Sequence, residues 1–266
     1  MRLNSNNKIP ILLYHALFDG KSNNEKYAMS AGAFEHQIAH LAKHGAKSID
    51  FNDLVNDQPT DLNKKNVIIT FDDGNLSDYE YAFPILKQYD FTATFFVTVN
   101  RLGTHGYLDW NHLNEMKNAG MSIQSHGLNH SFLSDLSSDE LNAELDLSKK
   151  HLETRLRIPV NFFSLPGGFY SSRVLQAAKG AGYIGVATSC PGLNVKACNK
   201  DGLHLFKRFL VTRKTDLQDL QNIVSVKHSY IMKSRLLYQA KLMAKKILGS
   251  QQYYSLWSKY SKYNSE

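Results

Sequence analysis

The feature that most constrains this chain is an alternation. From residue 10 to residue 226, β-type and helix-type segments follow one another about seven times. Pro10-Ile11-Leu12-Leu13-Tyr14, Val67-Ile68-Ile69, Asn161–Leu165, Tyr183–Ala187 and Leu205–Val211 read as strands, with shorter ones at Lys47–Phe51 and Met121–Ser125. Thr92–Val99, rich in β-branched and aromatic residues, is the clearest of them. Between them lie helical patterns with recognisable ends. Ser30 caps a face of Phe34, Ile38, Leu41 and Ala42 that Gly45 terminates, Asp109 caps Trp110–Met116, and Ser137 with Glu140 forms a capping box. Tyr79–Tyr89, with a kink or late start at Pro84, Ser172–Lys179 and Thr215–Val226 complete the set. Phe18–Tyr27 and Thr188–Gly202 read as loops. Strands separated by helices imply parallel pairing through helical crossovers, so the fold class is α/β, either a barrel or an open sheet.

Such sheets bind their ligands at the carboxyl ends of the strands. The polar residues that follow strands here are His15, Asp72-Asp73, His126 with His130, and Pro166-Gly167-Gly168. Two adjacent carboxylates at a strand end are costly unless a proton or a cation lies between them. An Asp-Gly pair is also ordinary turn chemistry. The two histidines are four apart, which suits one helical face, but Gly127 and Asn129 point to a loop. Either arrangement lets both imidazoles face one point, where neutral imidazole and carboxylate would suit Zn²⁺ or another divalent first-row ion. The alternative is a pair of surface histidines among the eleven in the chain.

At 266 residues the chain holds one large domain, or one with an appendage. Apolar residues at 42% and charged residues at 21% describe a soluble protein with a full core. The excess of basic residues is confined to residues 227–266, where eight basic side chains face one acidic one. The body is neutral, so no nucleic-acid groove is expected in it. Met1–Lys8 lacks the apolar segment of a secretory signal, and nothing resembles a transmembrane span, so a cytoplasmic location is expected. Cys190 and Cys198 make no zinc motif; two free thiols are expected over a local disulfide.

Taken together, Thr70-Phe71-Asp72-Asp73-Gly74 and Ser125-His126-Gly127-Leu128-Asn129-His130 resemble the first two motifs of the polysaccharide deacetylase family, carbohydrate esterase family 4, the NodB-homology domain. The likeness continues through Tyr14-His15, Ala93–Val97, Leu108-Asp109-Trp110 and Phe163–Gly168, over roughly residues 8–225. The resemblance implies a distorted (β/α)7 barrel, assigned to residues 1–226; residues 227–266 read from their own charge and periodicity as a basic amphipathic helical tail. It implies a divalent metal, Zn or else Co, Ni or Mn, held by Asp73, His126 and His130. Asp72 would be the general base, and the backbone N–H of Gly167 would help to hold the oxyanion. The implied reaction is removal of N-acetyl, or O-acetyl, groups from a saccharide. Two departures stand out. Ser164 occupies the place of an arginine that orients the base in many members, and the late Leu-x-His motif has no match, Leu203-His204 having the wrong spacing. The aspartate–tryptophan motif is also missing from Tyr183–Leu193. His15 is the candidate acid for the leaving amine, with a structural or substrate-orienting role as the alternative. The departures keep open a catalytically silent saccharide-binding protein, and an amide hydrolase of a non-sugar substrate.

In the tail, Leu236, Leu237, Ala240, Met243, Ala244, Ile247 and Leu248 share one helical face, with lysines elsewhere and Tyr253, Tyr254, Trp257, Tyr260 and Tyr263 beyond. The apolar face docks on the barrel or lies on anionic lipid. The docked arrangement is the simpler expectation; the lipid one would put the protein at the inner membrane face.

Overall fold

A computed structural model describes residues 8–20, 27–55, 65–168, 170–195 and 202–248. In chain order the strands are β1 (Lys8–Tyr14), β2 (Leu17–Phe18), β3 (Met29–Ser30), β4 (Ala46–Ser48), β5 (Lys65–Phe71) and β6 (Thr94–Val97). They continue as β7 (Ser122–Ser125), β8 (Phe162–Ser164), β9 (Gly185–Ala187), β10 (Leu193–Val195), β11 (His204–Phe206) and β12 (Phe209–Leu210). The α-helices are α1 (Ala31–Lys43), α2 (Phe51–Val55), α3 (Phe83–Gln88), α4 (Trp110–Asn118), α5 (Ser138–Leu156), α6 (Ser172–Gly180), α7 (Leu217–Val224) and α8 (His228–Leu248).

The strands β1, β5, β6, β7, β8, β9 and β11 lie side by side in that order, each parallel to the next. Two residues after β11 the chain resumes as β12, which pairs in parallel with β1 on the side away from β5. The sheet therefore curls into a nearly closed barrel of seven staves, the last made of β11 and β12 in tandem. This is the distorted (β/α) barrel expected from the sequence. Leu193–Val195 runs antiparallel to the start of β1, and β4 extends the sheet beside the start of β5.

Side chains along a strand alternate between the two faces. On β5, Ile68 belongs to the barrel interior, while Val67 and Ile69 belong to the layer between strands and helices. Ile11, Phe96, Phe162 and Phe206 join Ile68 inside, and Phe51 of α2 inserts among the three phenylalanine rings, 4.7–5.8 Å between centroids. One step further along the same inward rows come Thr70, Ser164 and Arg208, and after Thr70 comes Asp72. The interior thus grades from aromatic and aliphatic to polar toward the strands' carboxyl ends.

Several local expectations are corrected. The strand expected at Lys47–Phe51 stops at Ser48, and Phe51 opens α2 after a turn in which Asp50 and Asp53 accept each other's backbone N–H. Leu205–Val211 is two strands, interrupted at Lys207-Arg208. Part of the Thr188–Gly202 loop forms β10. The segment Tyr79–Tyr89 begins as a π-turn at Asp78–Ala82 and becomes α3, with Pro84 in its first turn, where the missing N–H does no harm. The Ser137–Glu140 capping box and the Asp109 cap form as expected.

The tail differs most. On α8, Ile231 is buried, and Tyr230, Ser234, Arg235, Tyr238 and Leu242 are half-buried against the barrel. Of the apolar residues expected to dock, Leu236, Leu237, Ala240 and Met243 are exposed, Leu236 at 67% and Met243 at 68%. Among the described residues no helix is long and apolar enough to cross a membrane. Cys190 is a free thiol; Cys198 and the tail aromatics from Tyr253 onward lie outside the described residues.

Candidate active site

A cavity of about 500 Å³ opens at the carboxyl ends of the barrel strands. His15, Asp72, Asp73, His126, His130 and Gly167 all line it, so every site residue expected from the sequence reaches one space.

Asp72 and Asp73 follow β5, and the Asp72 N–H donates to the Tyr14 carbonyl of neighbouring β1. Asp73 has φ +82° and Gly74 φ +78°, so the pair is at once a tight turn and part of the site. A non-glycine residue in the left-handed region is strained, and such strain gathers at functional positions. His130 is held the same way, at φ +63°. Its loop is fixed by the buried Glu144 of α5, whose carboxylate accepts from the Asn129 N–H at 2.7 Å and the Asn129 side-chain amide at 2.9 Å. Gly127 lies so close to this carboxylate that a Cβ would stand 2.8 Å from Glu144 Oε1.

The two imidazoles converge on Asp73. His126 Nε2 is 3.5 Å and His130 Nε2 3.0 Å from Asp73 Oδ1, and the three ligand atoms lie within 4.8 Å of one another. Ligands about 2.1 Å from a tetrahedral Zn²⁺ would stand about 3.4 Å apart. Asp73 Oδ1 is buried, with both imidazoles and, at 3.6 Å, the Arg101 guanidinium turned toward it but no hydrogen bond of regular geometry. Two imidazole nitrogens converging on a carboxylate oxygen are a donor set that fits a divalent cation. His126 Nδ1 lies 2.9 Å from the Ser164 carbonyl. As donor to that oxygen, the ring keeps Nε2 as its free acceptor. Burial lowers the His126 pKa to about 4, so the ring is neutral at physiological pH. Burial raises the Asp73 carboxyl, but the neighbouring His130, His126 and His15 rings outweigh it and hold the group well below the usual carboxylate range.

Asp72 faces a different partner, one that sequence reasoning missed. Arg208, wholly buried between β11 and β12, donates through Nη1 to Asp72 Oδ1 at 2.7 Å and through Nη2 to Asp72 Oδ2 at 2.8 Å. Nη2 also donates to Ser164 Oγ at 2.8 Å, and that hydroxyl donates to Asp72 Oδ2 at 2.9 Å. Nε donates to the Thr188 carbonyl at 3.0 Å. Ser164 thus offers Asp72 only a hydroxyl, and the guanidinium arrives from another stave. Burial alone would raise the Asp72 pKa, but the Arg208 charge outweighs it and the carboxylate stays ionised. The available signal was the inward alternation of Phe206 and Arg208 within Leu205–Val211, since a buried arginine needs a carboxylate partner.

His15 follows β1, its ring lies tilted 5.0 Å from the Tyr27 ring, and its Nδ1 is buried without a hydrogen bond. Burial lowers its pKa, with Asp73 and Asp72 pulling the other way. Gly167 takes φ +67° in the turn after β8, and Gly168 approaches Ser189 so closely that a Cβ would lie 2.6 Å from its hydroxyl. His204 lies on β11 stacked against Phe206.

Comparison with known proteins agrees with this geometry. A family model described as polysaccharide deacetylase matches residues 60–186. YxkH of Bacillus subtilis (strain 168), whose name classes it as a polysaccharide deacetylase, is 30% identical over 207 residues, covering 77% of this chain and 72% of that protein. The poly-beta-1,6-N-acetyl-D-glucosamine N-deacetylase of Staphylococcus aureus (strain N315) is 28% identical over 180 residues, 62% of each chain. Among solved structures, Streptococcus pyogenes deacetylase PplD in complex with acetate superposes with a TM-score of 0.73 at 29% identity, over 82% of this chain and 98% of that one.

Proposed function

Since this chain belongs to the polysaccharide deacetylase family, we propose that it hydrolyses N-acetyl groups on a saccharide with the help of a divalent metal ion. One observation carries the reading: an Asp-His-His donor set and an arginine-held carboxylate share one cavity at the mouth of the barrel. Asp73, His126 and His130 would hold the ion, and Zn²⁺ suits two imidazoles and a carboxylate. Bound there, the ion would polarise the acetyl carbonyl and bring the pKa of water down to about 7.

The remaining chemistry belongs to side chains and backbone. Asp72 takes the proton of the attacking water. Its support is the paired Arg208, which keeps the carboxylate ionised and fixes both oxygens while leaving lone pairs to accept. The Gly167 N–H holds the developing oxyanion, on a turn whose positive φ suits glycine. His15 delivers a proton to the leaving amine, consistent with its place on the cavity wall and its unpartnered ring nitrogen.

Acetate release from N-acetylated oligosaccharides with added Zn²⁺ or Co²⁺ tests the reading. Asp72→Asn is expected to keep its metal and lose turnover, and Asp73→Ala to lose the metal. Full turnover in Asp72→Asn would remove the base from the scheme. His15→Ala is expected to lower kcat sharply with metal content unchanged.

We also propose that the outer face of α8 rests on an anionic membrane, the protein lying on the cytoplasmic side. Met232, Leu236 and Met243 are exposed on it, and the net positive charge of the chain is concentrated in residues 227–266. Leu236→Asp should abolish co-sedimentation with anionic liposomes; undiminished co-sedimentation of that variant would exclude this face.

A further inference from the structure

The cavity is larger than an acetyl group and a water require, and its outer wall comes from a part of the chain beyond the family match at 60–186. Helix α8 crosses beside the barrel mouth and lines the cavity with Tyr230, Ser234, Tyr238 and Lys241. Tyr230, Ser234 and Tyr238 recur every fourth residue, so they form one stripe on the helix. The helix is anchored below this stripe by buried Ile231 and by Arg235, whose Nε donates to the Pro191 carbonyl at 3.3 Å. Tyr238 itself is half-buried beside Cys190 and Tyr170, which keeps its phenol neutral, with a pKa pushed up to about 12. The rings of Tyr27 and Phe132 line the same cavity.

Aromatic rings lining one cavity together with hydroxyl and ammonium groups offer a pyranose what it needs. The rings cover its apolar C–H faces, and the polar groups bond its hydroxyls. The same cavity holds Asp72, Asp73, His126 and His130, so a sugar with its acetyl group beside them can set its neighbour in the chain against α8. We infer that the inner face of α8 is a saccharide subsite. Tyr238 stacks on a sugar unit adjoining the acetylated one, Ser234 and Lys241 bond its hydroxyls, and the enzyme selects oligosaccharides over monosaccharides. The inference rests on the deacetylase reading for the identity of the ligand. The wall itself can be tested by binding alone.

The test is calorimetric titration of the full chain with N-acetylglucosamine and with its β-1,4- and β-1,6-linked tetramers. The wild type is expected to bind at least one tetramer about tenfold or more tightly than the monomer, the effect of one good aromatic contact. Tyr238→Ala should erase that preference and Tyr238→Phe should keep it. Ser234→Trp, which fills the wall from an independent position, should erase it too. In acetate release, Tyr238→Ala should raise KM for the tetramer by the same factor and leave kcat within about twofold. Equal binding of monomer and tetramers by the wild type would overturn the subsite, as would an undiminished preference in the two blocking variants. Tetramer binding that depends on Tyr238 without any acetate release would retire the deacetylase reading and leave the subsite standing.

Discussion

Arg208 carries a permanent charge with none of its surface exposed, and it is tied to a carboxylate 136 positions earlier. A buried pair of this kind gives little net stability, but removing one partner is costly because a bare charge stays behind, about 3–5 kcal/mol. Lysine keeps the charge but not the planar fork. Arg208→Lys is therefore expected to retain the fold and metal content and to lose about a hundredfold in turnover through a misaligned Asp72, read by acetate release beside a thermal melt. Turnover at the wild-type level would show that the fork does not orient the base. Asp78 presents the opposite case. Both its carboxyl oxygens are buried without hydrogen bonds, and burial, with the nearby Asp73 charge, raises its pKa well above the ordinary value. Unfolded, the group ionises near about 3.9; folded, it keeps its proton to higher pH. Between those values the folded state binds more protons, so this group erodes stability as pH rises. Asp78→Asn should remove that slope, and its advantage in urea midpoint should widen between about pH 5 and about pH 8. A constant difference would mean that Asp78 ionises alike in both states. The sequence made Asp72, Asp73, His126 and His130 visible because each motif is contiguous. Arg208 stayed hidden because its meaning lies in a partner that only the closed barrel brings near.

Among the elements, α5 does more than cover the sheet. Its Glu144 reaches under the histidine loop and holds Asn129, which fixes His130 in its strained conformation. Groups that orient metal ligands commonly account for ten- to a hundredfold in affinity. Glu144→Gln, which replaces one acceptor oxygen by a donor facing backbone N–H groups, is expected to weaken Zn²⁺ binding by about that factor in a chelator competition. Unaltered affinity would show that the loop holds itself. Strand and helix positions were largely legible, since alternation and caps are local signals. Two failures have local causes as well. Leu205–Val211 looks like one strand, yet the ladder is interrupted at Lys207 and the buried Arg208. On α8, helical periodicity identified an apolar face but could not say what lay beside it, and the face turned toward the barrel is the one with tyrosines and a serine.

At the scale of the whole molecule, the proposed metal site would tie together the segment after β5 and the loop after β7, which are separated in the sheet by β6. An ion bound only by the folded chain stabilises it by mass action, about 2.7 kcal/mol at a hundredfold excess over Kd. Zn²⁺ should therefore raise Tm in proportion to the logarithm of its concentration, and Asp73→Ala should abolish the dependence. A Tm indifferent to Zn²⁺ in the wild type would argue against a site formed by folding. The barrel's seam carries a further consequence. Lys207 and Arg208 form the short crossing from β11, paired with β9, to β12, paired with β1. The chain that completes the ring of staves is the same chain that delivers the guanidinium to Asp72. Closing the seam and placing the guanidinium beside Asp72 are thus one event, so under the proposed mechanism a conformer with an open seam would lack the group that orients its base.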